Sequence, residues 1–286
     1  MPESSAFLLI DKPAGISSFD VIRSLRRHTH IRSIGHSGTL DPFATGLLIC
    51  ATGKYTRMLG YLESEAKTYS AELLLGASTT TGDTEGDIQS EGPVPDTLDE
   101  PLLMDAVLGL SELPTPKYSA VKIKGKPAYF YARKDMDIDL PPRPVKVSWF
   151  EVLNYKPPVL SYACTVSKGT YIRSLSEFIA GFLNTVGHTV GLRRTAISNI
   201  RVDLAKKLEE FSSTAWENLV ADARALFSDR EQLIPDPEML LAIRNGQSVY
   251  HEGVENDSVF LFSEEGTLLG VAKRSDNMLF PKINLN

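Results

Sequence analysis

With 286 residues, 42% of them hydrophobic, the chain can bury a full core in one large domain and still leave a small second one. No stretch approaches the roughly 18 apolar residues that span a bilayer, and no basic segment followed by an apolar run opens the sequence, so no membrane span is expected and the cytoplasm is the expected location. The net charge of −6 argues, as a total, against a polyanionic partner. Its distribution argues differently: residues 1–58 hold 7 basic and 4 acidic side chains, 115–146 hold 8 and 3, and 165–207 hold 7 and 2. The acid is concentrated in 63–112, with 1 basic and 12 acidic side chains, and in 208–286, with 6 and 14. One electropositive face on an acidic body fits this pattern, as does solvated charge scattered over the surface.

Along the chain, Ser17-Ser18-Phe19-Asp20 predicts a helix start, with a serine cap, an acid in the first turn, and Phe19, Ile22 and Leu25 on one buried face; it ends near Arg26 to His30. Residues Gly35 to Pro42 read Gly-His-Ser-Gly-Thr-Leu-Asp-Pro. Gly35 and Gly38 open turn conformations, and Pro42 disfavours helical backbone at Asp41, so one carboxylate is expected on rigid, extended backbone. Such an acid suits catalysis; a surface turn is the plainer reading, and the octet alone does not choose. Cys50 and Cys164 lie in apolar, strand-like surroundings and are expected as buried thiols, with neither metal nor disulfide. Tyr69, Ala71, Leu73 and Leu75 alternate with more polar neighbours, predicting a strand that stops at Gly76.

The polar run Thr79 to Gly92 reads as a solvated loop without the ligand spacing of a calcium site. Residues 113–144 begin and end with prolines and interleave lysines and arginines with Tyr118, Tyr129, Phe130 and Tyr131, an excursion from the core. Such a segment can grip phosphate and stack bases, or pack Tyr129 to Ala132 as one helical turn against the body. Val145 to Leu153 and Val159 to Val166 predict a hairpin around Pro157-Pro158. Arg173 to Leu183 returns to helical spacing through Leu175, Phe178, Ile179, Phe182 and Leu183. Pro235-Asp236-Pro237 marks a boundary, after which Val259–Phe262 and Leu268–Ala272 are strand-like.

The octet, continued by Phe43-Ala44-Thr45-Gly46-Leu47-Leu48, resembles the bacterial TruB family of tRNA pseudouridine synthases, which convert the T-loop uridine at tRNA position 55 to pseudouridine. Further blocks match in family order across roughly residues 6 to 200. They are Leu9 to Ser18, Lys67-Thr68-Tyr69, Tyr118 to Lys122 with Gly125-Lys126, Arg143-Pro144-Val145, Lys168 to Arg173, and Leu192-Arg193-Arg194. The resemblance implies an α+β pseudouridine synthase fold with a mixed, mainly antiparallel central sheet. It also implies a catalytic domain over 1–234, whose insert at about 113–144 closes on the tRNA arm, and a short PUA-like RNA-binding β-domain over 235–286, matched best at Arg244-Asn245-Gly246-Gln247. A tail this short can instead pack on the catalytic body.

The implied reaction breaks the bond from uracil N1 to ribose C1′, turns the base and rejoins it through C5. It needs a flipped base, a carboxylate at the sugar–base junction and a pocket closed to bulk water, and no cofactor. The resemblance assigns the carboxylate to Asp41, leaving open whether it adds to C1′, adds to C6 or removes a 2′ proton. Arg173 is the cation that keeps it charged and oriented, for which the planar guanidinium fork suits better than lysine. By the same resemblance Tyr69 is expected to stack on the target uracil, His36 to fill the space the flipped base leaves, and Tyr171 and Leu192 to line the pocket. Lys12, Lys122, Lys126, Arg193 and Arg194 are the expected phosphate contacts. The expected partner is the T-arm of tRNA, met by a monomer without metal.

Three other readings compete. Ser37-Gly38-Thr39-Leu40 resembles the tail of aspartyl phosphoryl-transfer loops, but those place the nucleophile upstream, where His36 stands, and add a second acid for magnesium. Gly53-Lys54 has Leu48 where a nucleotide-binding loop needs glycine, and Tyr55 where it needs Ser or Thr. A non-catalytic tRNA-binding or RNA chaperone protein on the same scaffold is the third; Asp41, Tyr69 and Arg173 together favour an enzyme.

Overall fold

Two nearly continuous apolar runs, Phe7–Lys12 (β1) and Thr45–Thr52 (β3), pair antiparallel from Phe7 opposite Ala51 to Lys12 opposite Gly46. Both of their faces are covered, which is why they read as runs and not as alternation. Leu8, Ile10, Leu48 and Cys50 pack with Val21, Ile22 and Leu25 of helix α1, Ser18–Thr29. Phe7, Leu9, Leu47 and Ile49 face the opposite way, towards Tyr55, Met58 and Phe227. The computed structural model describes residues 4–123, 125–134, 136 and 138–285. Lys124, Asp135 and Asp137 of the expected insert, and Met1, Pro2, Glu3 and Asn286 at the ends of the two expected domains, lie outside the described residues.

Strand β4, Lys67–Leu75, buries Tyr69, Ala71, Leu73 and Leu75 as its alternation predicts. Among the described residues the large sheet has ten strands. Its main path runs Val147–Lys156, Val159–Val166, β4, Gly187–Ile197, β3, β1 and Lys206–Lys207, with the short β2, Ile34–His36, paired to β3. Two of its pairings are parallel, β3 with Gly187–Ile197 and β1 with Lys206–Lys207; the remainder are antiparallel. The mixed, mainly antiparallel sheet of an α+β fold is therefore present. Helix Ile172–Phe182 buries Ile172, Leu175 and Ile179 in the same cluster as Tyr69.

At the C-terminal end a five-stranded sheet runs Gln232–Leu233, Ser258–Phe262, Leu268–Ser275, Met278–Asn284 and Val249–Tyr250. It does not stand apart: Phe260, Phe262, Leu268 and Val271 join the body's cluster of Phe7, Tyr55 and Phe227, with Phe227 stacked on Phe260 at 4.6 Å. The first strand of that sheet lies before residue 235. Asp236 caps helix Pro237–Arg244 by accepting a hydrogen bond from Met239 N at 2.8 Å, so Pro235-Asp236-Pro237 begins a helix.

Two expectations change. α1 has the predicted start, a capping box between Ser17 and Asp20, but its buried stripe is Ser18, Val21, Ile22, Leu25 and Thr29. Phe19 lies about 100° away on the helical wheel and is 55% exposed. The run Thr79 to Gly92 is not simply solvated: Ala77–Thr79 and Ile88–Glu91 form a small hairpin, and Asp83 beneath it is buried.

Gly46 fixes how closely two of the site-bearing strands approach. It sits at φ +104°, where side chains are rarely found, and a Cβ there would lie 2.3 Å from the carbonyl oxygen of Arg194. Gly46→Ala therefore forces the parallel β3 contact apart. The expected cost is about 2 kcal/mol or more, seen as a Tm lowered by roughly 5 °C. An unchanged melting curve contradicts the packing described.

Candidate active site

The catalytic-loop expectation rests on backbone that other parts of the chain hold from both sides. Leu40 N donates to Ser18 Oγ at 2.8 Å, and that hydroxyl lies 3.1 Å from Leu40 O. On the far side of Asp41, the carbonyl of Pro42 accepts from Gly15 N at 2.9 Å and from Lys12 Nζ at 3.2 Å. Arg194 holds both flanks, donating Nη2 to Gly38 O upstream at 3.0 Å and Nε to Leu47 O in β3 downstream at 2.7 Å. The segment Lys12 to Ser18 thus buckles the loop to β1 and α1.

Into this frame the helix Ile172–Phe182 delivers Arg173 from its first turn. Arg173 donates Nε to Asp41 Oδ2 at 3.0 Å and Nη2 to Asp41 Oδ1 at 3.3 Å, the two-point grip expected of a guanidinium. It also donates Nη1 to Thr81 O at 2.7 Å and Nη2 to Tyr118 O at 2.8 Å. Its side chain is 3% exposed, whereas that of Asp41 is 31% exposed. The cation is sealed in; the acid faces outward from it.

A second carboxylate shares the guanidinium. Asp83 Oδ2 lies 3.5 Å from Arg173 Nη1, while its Oδ1 accepts from Thr81 Oγ1 at 2.5 Å and Glu85 N at 2.9 Å. Sequence reading missed Asp83, one of 12 acids between residues 63 and 112. The available signal was its setting, Thr79-Thr80-Thr81-Gly82-Asp83-Thr84, where hydroxyls stand ready to bind a buried acid.

Tyr69 is buried on β4, opposite Arg194 in the register, in one cluster with Leu40, Ala44, Ile172 and Leu192. Burial pushes its hydroxyl pKa up, and the Arg194 guanidinium beside it pulls the other way. Leu192 is buried and Tyr171, at the helix cap, is half-buried. His36 ends β2, and its Nδ1 accepts from Gly38 N at 3.3 Å. Burial, and then Arg194, hold its pKa below the ordinary histidine range. A neutral ring that accepts at Nδ1 suits a filling and hydrogen-bonding role, not an acidic one.

The phosphate candidates divide. Lys122 and Lys126 are exposed on a small hairpin of the insert, with Lys126 Nζ 4.4 Å from the Phe130 ring centroid. Arg193 is partly exposed and binds Asp11 through two hydrogen bonds, at 2.9 and 2.7 Å. Lys12 and Arg194 are 0% and 1% exposed, and their head groups donate to backbone carbonyls, Lys12 to Pro13, Ile16 and Pro42 and Arg194 to Gly38 and Leu47. Burial takes the Lys12 pKa down to about 8. Both cations anchor the loop from beneath.

Burial raises the Asp41 carboxyl above the usual carboxylate range; Arg173 opposes this, Asp83 adds to it, and Lys12 opposes it again. A carboxylate acting on the sugar–base junction must be ionised, so activity falls as pH drops through that raised value. The acid limb of kcat/KM is expected above the ordinary aspartate pKa of about 3.9. A profile flat down to that value contradicts the role.

A family profile described as TruB family pseudouridylate synthase (N terminal domain) matches residues 26–172. The chain belongs to the TruB family. The match to this family takes in Asp41 and Tyr69 and stops one residue before Arg173. Among TruB relatives, the tRNA pseudouridine synthase B of Methylobacillus flagellatus is 34% identical over 274 residues, covering 94% of this chain and 90% of that protein. The protein of the same name from Corynebacterium efficiens is 39% identical over 227 residues, covering 77% of this chain and 76% of its own. A chain of a Cbf5–Nop10–Gar1 complex superposes with a TM-score of 0.73 at 21% identity, over 98% of this chain and 84% of that one. A chain of an H/ACA RNP bound to a substrate RNA gives 0.70 at 18%, over 98% and 85%. At such identities the structures speak for the pseudouridine synthase fold, which the TruB match requires.

Proposed function

We propose that this TruB-family chain isomerises uridine in tRNA to pseudouridine, with the T-loop uridine at position 55 as its target. The observation that carries the reading is the Asp41 carboxylate, gripped at two points by a sealed guanidinium and left open on its other side, on a loop whose Leu40 and Ala44 share a buried cluster with Tyr69. In the reaction the N1–C1′ bond breaks and a C5–C1′ bond forms; the proton on C5 is lost and N1 takes one up, so the composition is unchanged. A side chain held this rigidly meets the reacting bond without reorganisation, and the buried walls of Tyr69, Leu192 and Ile172 keep water from the detached uracil. His36 occupies the place of the everted base, Tyr69 stacks on it, and Tyr171 and Leu192 line its pocket.

The reading includes a catalytic unit over 1–234, a PUA-like unit over 235–286, and phosphate contacts from Lys122, Lys126 and Arg193. It also includes action as a monomer in the cytoplasm, on the T-arm, without metal or other cofactor. A binding-only protein is not favoured, because nothing about RNA binding alone calls for a carboxylate and guanidinium paired this way.

The test is tritium release from a T-arm transcript labelled at uridine C5. Release from the wild-type transcript, and none when position 55 alone carries the unlabelled nucleotide, supports the reading; tight binding without release overturns it. Tyr69→Phe refines the pocket assignment. RNA affinity is expected to survive within about twofold, since stacking needs only the ring. Lost release with retained binding assigns work to the hydroxyl; lost affinity contradicts a tolerant stacking platform.

A further inference from the structure

The exposed face of α1 carries a feature that the pocket does not use. Phe19, Arg23, Arg26 and His30 follow one another at spacings of four, three and four, and Arg27 stands four residues from Arg23 and three from His30, so the five share one exposed side of the helix and its cap. Arg23 and Arg26 lie over the Phe19 ring, 5.4 and 5.9 Å from its centroid. The stripe ends at a surface cleft of about 520 Å³ lined by Arg26, His30, Ile31 and Arg32. Arg26 donates Nε to Arg32 O at 3.0 Å, which fixes its guanidinium at the mouth of that cleft. Asp20, paired with Arg23 at 2.9 Å, is the single acid between residues 12 and 40 of a chain whose net charge is −6.

Cations in the last turn of a helix are favoured by its dipole. That accounts for Arg26, Arg27 and His28, but not for Arg23 in the middle of the helix or for a phenylalanine held in solvent under two guanidinia. Planar forks and an exposed ring together suit the sugar–phosphate backbone of RNA. The helix that carries the stripe is anchored at the site. Ser18, in the first turn, hydrogen-bonds Leu40 beside Asp41, and twelve residues of helix carry the surface about 18 Å away from that contact.

We infer that this face of α1 is a second phosphate-binding surface, which holds the backbone of the same tRNA outside the nucleotide seated at Asp41. The inference rests on the proposed function. Its anionic partner is the RNA strand itself, and the helix serves as a rail that sets the distance from that grip to the carboxylate.

The test compares the full chain with R23Q/R26Q/R27Q and with F19A, using full-length tRNA and T-arm transcript over a salt series. For the triple variant Kd is expected to rise about tenfold or more, and the slope of log K against log salt to flatten by about 2, as for three lost phosphate contacts. Turnover at saturating RNA and the melting temperature are expected to stay as they were. F19A is expected to weaken binding without changing the slope. A triple variant with the native slope and Kd overturns the inference. Failure of the function reading looks different: the native chain releases no tritium from any tRNA, while the triple variant still loses RNA affinity.

Discussion

Asp41→Asn is expected to lower turnover by on the order of 10⁴-fold or more, close to abolishing it, while tRNA binding stays within about threefold. A loss of that size corresponds to roughly 5.5 kcal/mol of transition-state stabilisation. The amide is nearly isosteric and can still accept from one nitrogen of Arg173, so the loop, held at Gly38, Leu40 and Pro42 by its backbone, keeps its shape. It carries no charge, however, and can neither attack a carbon nor take a proton. Single-turnover tritium release under saturating enzyme separates this loss from any change in affinity. Full activity in the variant ends the assignment.

Arg173→Lys is expected to cost on the order of 10²-fold to 10³-fold in turnover despite keeping the positive charge. One ammonium cannot reproduce the planar set that reaches both oxygens of Asp41, the carbonyls of Thr81 and Tyr118, and Asp83. Two acids then share a weaker partner in a buried site, where breaking such a pairing typically costs about 3–5 kcal/mol. Because Arg173 is one of the influences opposing the rise in the Asp41 pKa, the acid limb of the rate profile moves further up in the variant. The measurement is kcat/KM against pH for both proteins. An unchanged limb with a rate loss alone shows that Arg173 acts on the RNA and not on Asp41.

Parts of this site were legible in the sequence because short-range chemistry wrote them. The glycines and proline around Asp41, the Ser17–Asp20 capping box, and the alternation that puts Tyr69 on a buried strand face are all settled by neighbours within a few residues. The cations were harder. Arg194 reaches the carbonyl of Leu47 across 147 residues, and Lys12 reaches Pro42 across 30. Lysine and arginine are usually solvated, so only the pairing of β1, β3 and Gly187–Ile197 reveals that these two are buried beneath a loop. Asp83 was hidden for a related reason: the threonines around it were a local signal, but its pairing with Arg173 joins distant parts of the chain. The C-terminal sheet was recognised as strands, yet its fusion to the body through Phe227 and Phe260 depends on contacts that no pattern of period two records.

The most direct measurement is a structure of the chain bound to T-arm RNA carrying 5-fluorouridine at position 55. The expected result is that nucleotide out of the stack, its ring against Tyr69, an Asp41 oxygen touching the sugar or base, and Arg173 still gripping the carboxylate. A fluorinated base left stacked in its loop, with Asp41 remote from any nucleotide, contradicts the assignment of this acid to the chemistry.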